Sequence, residues 1–138
     1  MAKTETRTGG CLCGKVRYTV PAEPLATVIC HCINCQKQAG SAFSIIAIFP
    51  RSGLSVDGNP SIYEDRGTSG QKVFRNFCGN CGSPIFSDTE EAREQGVIYV
   101  KAGTLDSVSD LNPTTQFWAK RAHSWIKFPD GVLRLDEQ

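Results

Sequence analysis

No apolar run in this 138-residue sequence approaches the ~20 residues that a membrane-spanning helix needs. The longest, from Ala42 to Phe49, is interrupted by Ser44 and stopped by Pro50, so no transmembrane helix and no membrane partner are expected. Charge of one sign is also lacking. Fifteen lysines and arginines face fourteen aspartates and glutamates, a formal net charge of +1, which gives no general attraction to nucleic acid or an anionic surface. The opening Met1-Ala2-Lys3-Thr4-Glu5-Thr6-Arg7 has neither an apolar h-region nor a cleavage pattern, so an intracellular, cytoplasmic protein is expected. Neither a G-x-G-x-x-G fingerprint nor a P-loop occurs, and strands do not alternate with long helices, which argues against a doubly wound nucleotide-binding sheet. Helical signal is scarce. Only 34–39 and 90–95 read as helix, and both are shorter than the average helix of ~11 residues.

What is present is a succession of short strands. The stretch 15–20 places Val16, Tyr18 and Val20 on one face and Lys15, Arg17 and Thr19 on the other, the period of a half-buried strand. Further strands are expected at 25–29, 42–49, 61–64, 72–77, 97–102, 115–118 and 125–128, many bounded by Gly, Pro, Asn or Asp. The run 42–49 is apolar at nearly every position, the pattern of a central strand covered on both faces. The fold class expected is mostly β, with two packed sheets in one domain. Residues 1–8 read as a flexible lead and 9–138 as the domain, and a chain of this size can bury roughly two-thirds of its unfolded surface.

Seven cysteines stand out, an odd number in a chain expected in a reducing compartment, where disulfides do not persist. All seven fall into clusters: Cys11-x-Cys13, Cys30-x-Cys32-x-x-Cys35 and Cys78-x-x-Cys81. Tetrahedral zinc, with Zn–S bonds of about 2.3 Å, needs its sulfurs about 3.8 Å apart, a spacing that close sequence neighbours reach when a turn curls around the ion. Gly9, Gly10 and Gly14 flank the first pair, and Gly79, Asn80 and Gly82 accompany the last; these residues suit such turns. The partition that follows is four plus three. Cys11, Cys13, Cys78 and Cys81 make a closed structural zinc site, and Cys30, Cys32 and Cys35 make a second, catalytic site with a position left for water, substrate or a foreign thiolate.

Two other readings of the second group stand beside this one. His31 or His123 could complete a structural Cys₃His site, which would make the protein a non-catalytic zinc-stabilised binding module. His31 is the poorer ligand of the two, because in an extended segment its side chain points away from those of Cys30 and Cys32. A dithiol redox role for C-x-x-C is the other; the companion cysteines favour metal instead.

The combination of Gly9 to Tyr18, Cys30-His31-Cys32-Ile33-Asn34-Cys35 and Phe77-Cys78-Gly79-Asn80-Cys81-Gly82 resembles the glutathione-dependent formaldehyde-activating enzyme family, which also contains centromere protein V. Gly103-Thr104-Leu105-Asp106 and the closing Trp125 with Asp130-Gly131 resemble that family's later landmarks. The resemblance implies a two-sheet β-tent, structural zinc on Cys11, Cys13, Cys78 and Cys81, and active-site zinc on Cys30, Cys32 and Cys35. It also implies glutathione as a small-molecule thiol partner and carbon–sulfur lyase chemistry, in which glutathione and formaldehyde give S-hydroxymethylglutathione. One departure is Gln116, nine residues before the closing tryptophan, where the family often has histidine.

Cationic side chains are expected to face the carboxylates of such a thiol, with Lys37, Lys120 and Arg121 nearest by motif position. Asn34, His31 and Gln116 are candidates to donate or relay hydrogen bonds. Trp118 and Trp125 are expected in the core or the pocket wall, and Phe43, Phe49 and Phe86 in the core.

Overall fold

The computed structural model describes residues 5–67 and 69–137. In chain order its elements are β1 (Thr6–Gly10), β2 (Arg17–Pro21), β3 (Ala26–Cys30), α1 (Ile33–Ala39), β4 (Ser44–Pro50), β5 (Ser55–Asp57), β6 (Ser61–Arg66), β7 (Lys72–Phe77), β8 (Pro84–Thr89), α2 (Glu90–Gln95), β9 (Val97–Lys101), β10 (Thr115–Phe117) and β11 (Leu133–Arg134). The protein is mostly β and has two sheets, as its sequence pattern requires. One sheet runs β1-β2-β5, and the other runs β11-β10-β3-β4-β9-β8-β7-β6.

Strand pairing starts earlier than residue 9. Thr6 pairs with Pro21 and Thr8 with Thr19 across the antiparallel β1–β2 ladder, and Arg7 donates to the Asp110 carboxylate. Thr6, Arg7 and Thr8 are therefore built into the sheet, while the expectation for residues 1–4 lies outside the described residues. A second difference concerns 125–128, which forms no strand. Ile126 N–H closes a turn on His123 O at 3.1 Å, and Trp125 is 72% exposed rather than in the core or a pocket wall. Its β-like composition has no neighbouring strand to pair with, and composition without a partner does not make a strand.

The hydrophobic core lies between the sheets. Val16, Tyr18 and Val20 supply the small sheet's contribution, and Ala47, Phe49, Ile98 and Val100 come from the centre of the large one. Phe86 joins this core, as expected, and meets Tyr18 edge-on at 5.2 Å between ring centroids. Phe43 sits elsewhere, against Phe128 and His31. β4 is central, between β3 and β9, but its two faces have different fates. Ala47 and Phe49 are buried in the core, whereas Ile46 and Ile48, pointing the other way by the two-residue alternation, line a cavity. The strand that reads as covered on both faces is core on one face and cavity wall on the other.

Candidate metal centres

Two groups of cysteines converge. Cys11, Cys13, Cys78 and Cys81 form one cluster and Cys30, Cys32 and Cys35 the other, and within each all sulfurs lie within 4.8 Å of one another. Both are the groups expected from spacing alone.

The four-cysteine cluster is made by two turns of similar construction. Cys11 N–H donates to Val16 O at 3.0 Å and Gly14 N–H to Cys11 O at 3.2 Å; in the second turn Cys78 N–H donates to Ser83 O at 2.9 Å and Gly82 N–H to Cys78 O at 2.8 Å. The glycine after each second cysteine, Gly14 and Gly82, has φ of +82°, a left-handed conformation that costs other L-residues energy. Backbone donors aim at the sulfurs: Val16 N–H to Cys11 Sγ at 3.3 Å and Asn80 N–H to Cys78 Sγ at 3.4 Å. Cys13 Sγ lies 3.6 Å from Cys11 Sγ and 3.7 Å from Cys78 Sγ, close to the ~3.8 Å edge of a tetrathiolate tetrahedron. Hydrogen bonding from Ser83 brings the Cys81 thiol down to about 5, which favours the thiolate that a metal needs. These residues fit a tetrahedral metal ion.

The three-cysteine cluster forms where β3 runs into α1. Cys30 ends β3. Cys32 caps α1 with extended backbone, its sulfur accepting from Cys35 N–H at 3.2 Å, and Cys35 lies in the helix's first turn, buried. Between them His31 turns away, 0% exposed, with Nε2 3.0 Å from Gln116 Oε1 and its ring against Phe43 and Phe128. His123 is occupied elsewhere, at 2.9 Å from Gln36 Oε1 and edge-on to Trp125. Among the described residues neither histidine joins the three sulfurs, and no fourth cysteine or carboxylate does.

The cations at this cluster are not the ones that motif position suggests. Lys37, Lys120 and Arg121 are exposed, and Lys120 pairs with Glu137 at 3.0 Å. Arg75 of β7, 4% exposed, donates to Cys35 Sγ at 3.8 Å. Lys101 of β9, 5% exposed, donates to Ser44 Oγ at 2.7 Å. Hydrogen bonds from Cys30 and Cys32, helped by the charges of Lys101 and Arg75, hold the Cys35 thiol far below the usual thiol range. Cys30 moves the other way, pushed up by its hydrogen bonds with Cys32 and Cys35. Burial lowers the Lys101 pKa, against the raising effect of Cys35. Sequence reading missed both cations because nothing local in β7 or β9 aims them at Cys30, Cys32 and Cys35; only the sheet order brings them there.

A cavity of about 200 Å³ adjoins the cluster, with Cys30, Cys32 and Cys35 in its lining beside Ile46, Ile48 and Trp118. Trp118 thus stands in a pocket wall, as expected. Among the described residues no helix is long and apolar enough to cross a membrane.

Comparison with known proteins agrees with this arrangement. The family model described as glutathione-dependent formaldehyde-activating enzyme matches residues 6–121. A protein of Talaromyces marneffei assigned the name glutathione-dependent formaldehyde-activating enzyme is 30% identical over 101 residues, 70% of this chain and 52% of its own length. One from Aspergillus flavus with the same assigned name is 32% identical over 101 residues, 70% of this chain and 51% of its own. The chain thus spans about half the length of the curated relatives it matches. The crystal structure of a Rhodobacter sphaeroides protein superimposes with a TM-score of 0.55 at 25% identity, covering 75% of this chain and 91% of that one. With the match running across nearly all of the described fold and both cysteine clusters inside it, the chain belongs to the glutathione-dependent formaldehyde-activating enzyme family.

Proposed function

We propose that both clusters hold zinc and that the protein is a carbon–sulfur lyase-type enzyme acting on aldehyde adducts of a small thiol, the reaction with glutathione and formaldehyde being the case implied by the family's name. The observation that carries this reading is the convergence of Cys30, Cys32 and Cys35 on a cavity, with Arg75 and Lys101 buried beside them. Four thiolates saturate a tetrahedral ion, whereas three leave one position for an outside ligand. Cys11, Cys13, Cys78 and Cys81 therefore serve structure, tying the loop before β2 to the loop before β8, and Cys30, Cys32 and Cys35 serve chemistry.

Zinc bound at the three cysteines supplies a positive charge that lowers the pKa of a thiol beside it. Three cysteinates offset much of that charge, which suits holding a thiolate better than generating hydroxide. Arg75 and Lys101 in turn balance the cysteinates, so that the cluster stays ionised in a buried setting. Ile46 and Ile48 give the cavity an apolar wall beside the cluster. In the condensation the sulfur lone pair forms a bond to the carbonyl carbon, the π pair moves to oxygen, and that oxygen takes up the proton the thiol released. Nothing is oxidised or reduced, and the reverse step cleaves the same carbon–sulfur bond.

Exchange NMR of thiol–formaldehyde adducts tests the reading, with glutathione and with a small carboxylate-free thiol. Wild type is expected to accelerate exchange of at least one of them over the spontaneous rate, and Cys35→Ser to abolish the acceleration. Exchange no faster than in protein-free buffer for both thiols contradicts it.

A further inference from the structure

The chemistry of the cavity walls narrows the substrate. Apolar groups dominate the lining, among them Val28, Ile46, Ile48, Val73, Phe117 and Trp118. Apart from the cysteines, two of the lining residues are charged, Arg75 and Glu91. Arg75 is buried and already engaged by Cys35 and Asp65. Glu91 is exposed, in the first turn of α2, and accepts from the amides of Gln71 and Gln95 at 3.4 and 3.1 Å. Among the described residues no lysine or arginine forms an ion pair with Glu91. Lys37, Lys120 and Arg121, the cations expected to meet a substrate's carboxylates, do not line the cavity.

Glutathione carries two carboxylates, and among the described residues this lining offers them no free cation. The neutral polar side chains of the lining, among them Ser69, Gln71, Ser87 and Thr89, can hydrogen-bond a carboxylate but supply no charge to offset its loss of hydration beside the apolar wall, and beside Glu91 it meets like charge. Size points the same way: about 200 Å³ lies below the ~300–1,000 Å³ of cavities that enclose drug-sized ligands.

We propose that the cavity takes the aldehyde adduct of a small, carboxylate-free thiol with an apolar body, of the arylalkyl class, and selects against the tripeptide through Glu91 and the apolar wall. This rests on the assignment of thiol chemistry to Cys30, Cys32 and Cys35. The bond made and broken is the same carbon–sulfur bond, with the thiol proton passing to the aldehyde oxygen and no redox partner.

Titration calorimetry of the zinc-loaded full chain tests it with three probes: 2-phenylethanethiol, 2-mercapto-3-phenylpropanoate, which adds a carboxylate to the same body, and glutathione. The expected result is binding of 2-phenylethanethiol about tenfold or more tighter than either acid. Glu91→Gln is expected to narrow the gap between the two phenyl thiols about threefold without changing zinc content. Glutathione or the mercapto acid binding as tightly as 2-phenylethanethiol overturns the proposal, as does a gap that Glu91→Gln leaves untouched. Absence of binding by every thiol in protein carrying both ions, or binding that Cys35→Ser leaves undiminished, overturns the underlying thiol assignment and the proposal with it, a result distinct from reversed preference.

Discussion

Arg75 bridges Cys35 to Asp65: Nη1 donates to the Cys35 sulfur at 3.8 Å, and Nε and Nη2 meet the same Asp65 oxygen at 3.1 and 3.0 Å. Asn34, one residue before Cys35 on α1, donates to that Asp65 oxygen at 3.1 Å. The helix that carries Cys35 is thereby fastened to β6 and β7 through one carboxylate, and the cluster's negative charge has a fixed counter-charge. Partners that orient metal ligands typically contribute about 10–100-fold in metal affinity. With zinc added, Arg75→Gln is expected to weaken binding at the Cys30, Cys32 and Cys35 cluster by about that factor and to leave the four-cysteine cluster unchanged, as read by chelator competition. Equal affinity in the variant removes Arg75 from the account.

The two clusters should differ in what they do for the fold. Cys11–Cys13 and Cys78–Cys81 lie far apart in the chain and pack against the core, Cys11 and Cys78 being core residues themselves. An ion held by these four sulfurs would be a cross-link that contributes directly to folding. Cys81→Ser is expected to lower stability by about 3 kcal/mol or more, a fall of roughly 10 °C in Tm. Cys35→Ser should lower Tm far less. Thermal unfolding of the two variants checks the order, and equal losses contradict it.

Gln116, at the position where the family often has histidine, is 2% exposed and meets buried His31 at 3.0 Å. Gln116→Met keeps the volume and leaves the ring nitrogen without its partner. The expected cost is about 1–3 kcal/mol, measured by urea denaturation, with zinc content unchanged. An unchanged urea midpoint means that His31 draws nothing from this contact.

Burial pushes the Tyr18 phenol up to about 12, against the opposing effect of its hydrogen bond with Thr104. Tyr99 is also raised, by burial and then by Glu91 and Asp88. A folded-state pKa above the unfolded value of about 10 means that the fold holds the proton longer, so this contribution is complete below pH 10 and is lost as pH rises toward 12. Stability is expected to fall by on the order of 2 kcal/mol across that window, and Tyr18→Phe should flatten the slope. The phenylalanine variant should also lose about 1 kcal/mol at neutral pH, because Thr104 loses a 2.7 Å partner. Denaturation series at pH 9 and 11.5 read both effects; an unaltered slope contradicts the assignment.

The legible parts of this protein are those set by local pattern. β7 (Lys72–Phe77) and α2 (Glu90–Gln95) fall on their expected residues, and the cysteine partition follows from spacing and glycine placement. β8 escaped notice because Pro84-Ile85-Phe86-Ser87-Asp88-Thr89 shows no clean alternation; its polar end, Ser87 to Thr89, is buried as well as its apolar start. Asp88 is held there by Arg51 and Arg93, and the contact with Arg51, 37 residues away in the chain, lies outside any local window. The same limit hid Arg75 and Lys101. Each is an ordinary strand cation until β7 and β9 take their places in the large sheet, whereas Lys37, Lys120 and Arg121 are exposed and Lys120 is paired with Glu137.

The unequal division of sulfur is tested most directly by cobalt(II) substitution followed by thiol addition, with thiolate-to-cobalt absorption as the readout. The account predicts two cobalt ions per chain, one for each cluster, and a band from the Cys30, Cys32 and Cys35 site that shifts when 2-phenylethanethiol is added. Cys35→Ser should lose that response while the four-cysteine band persists. A single bound ion, or two ions whose spectra ignore added thiol, contradicts a thiol-accepting centre in this fold.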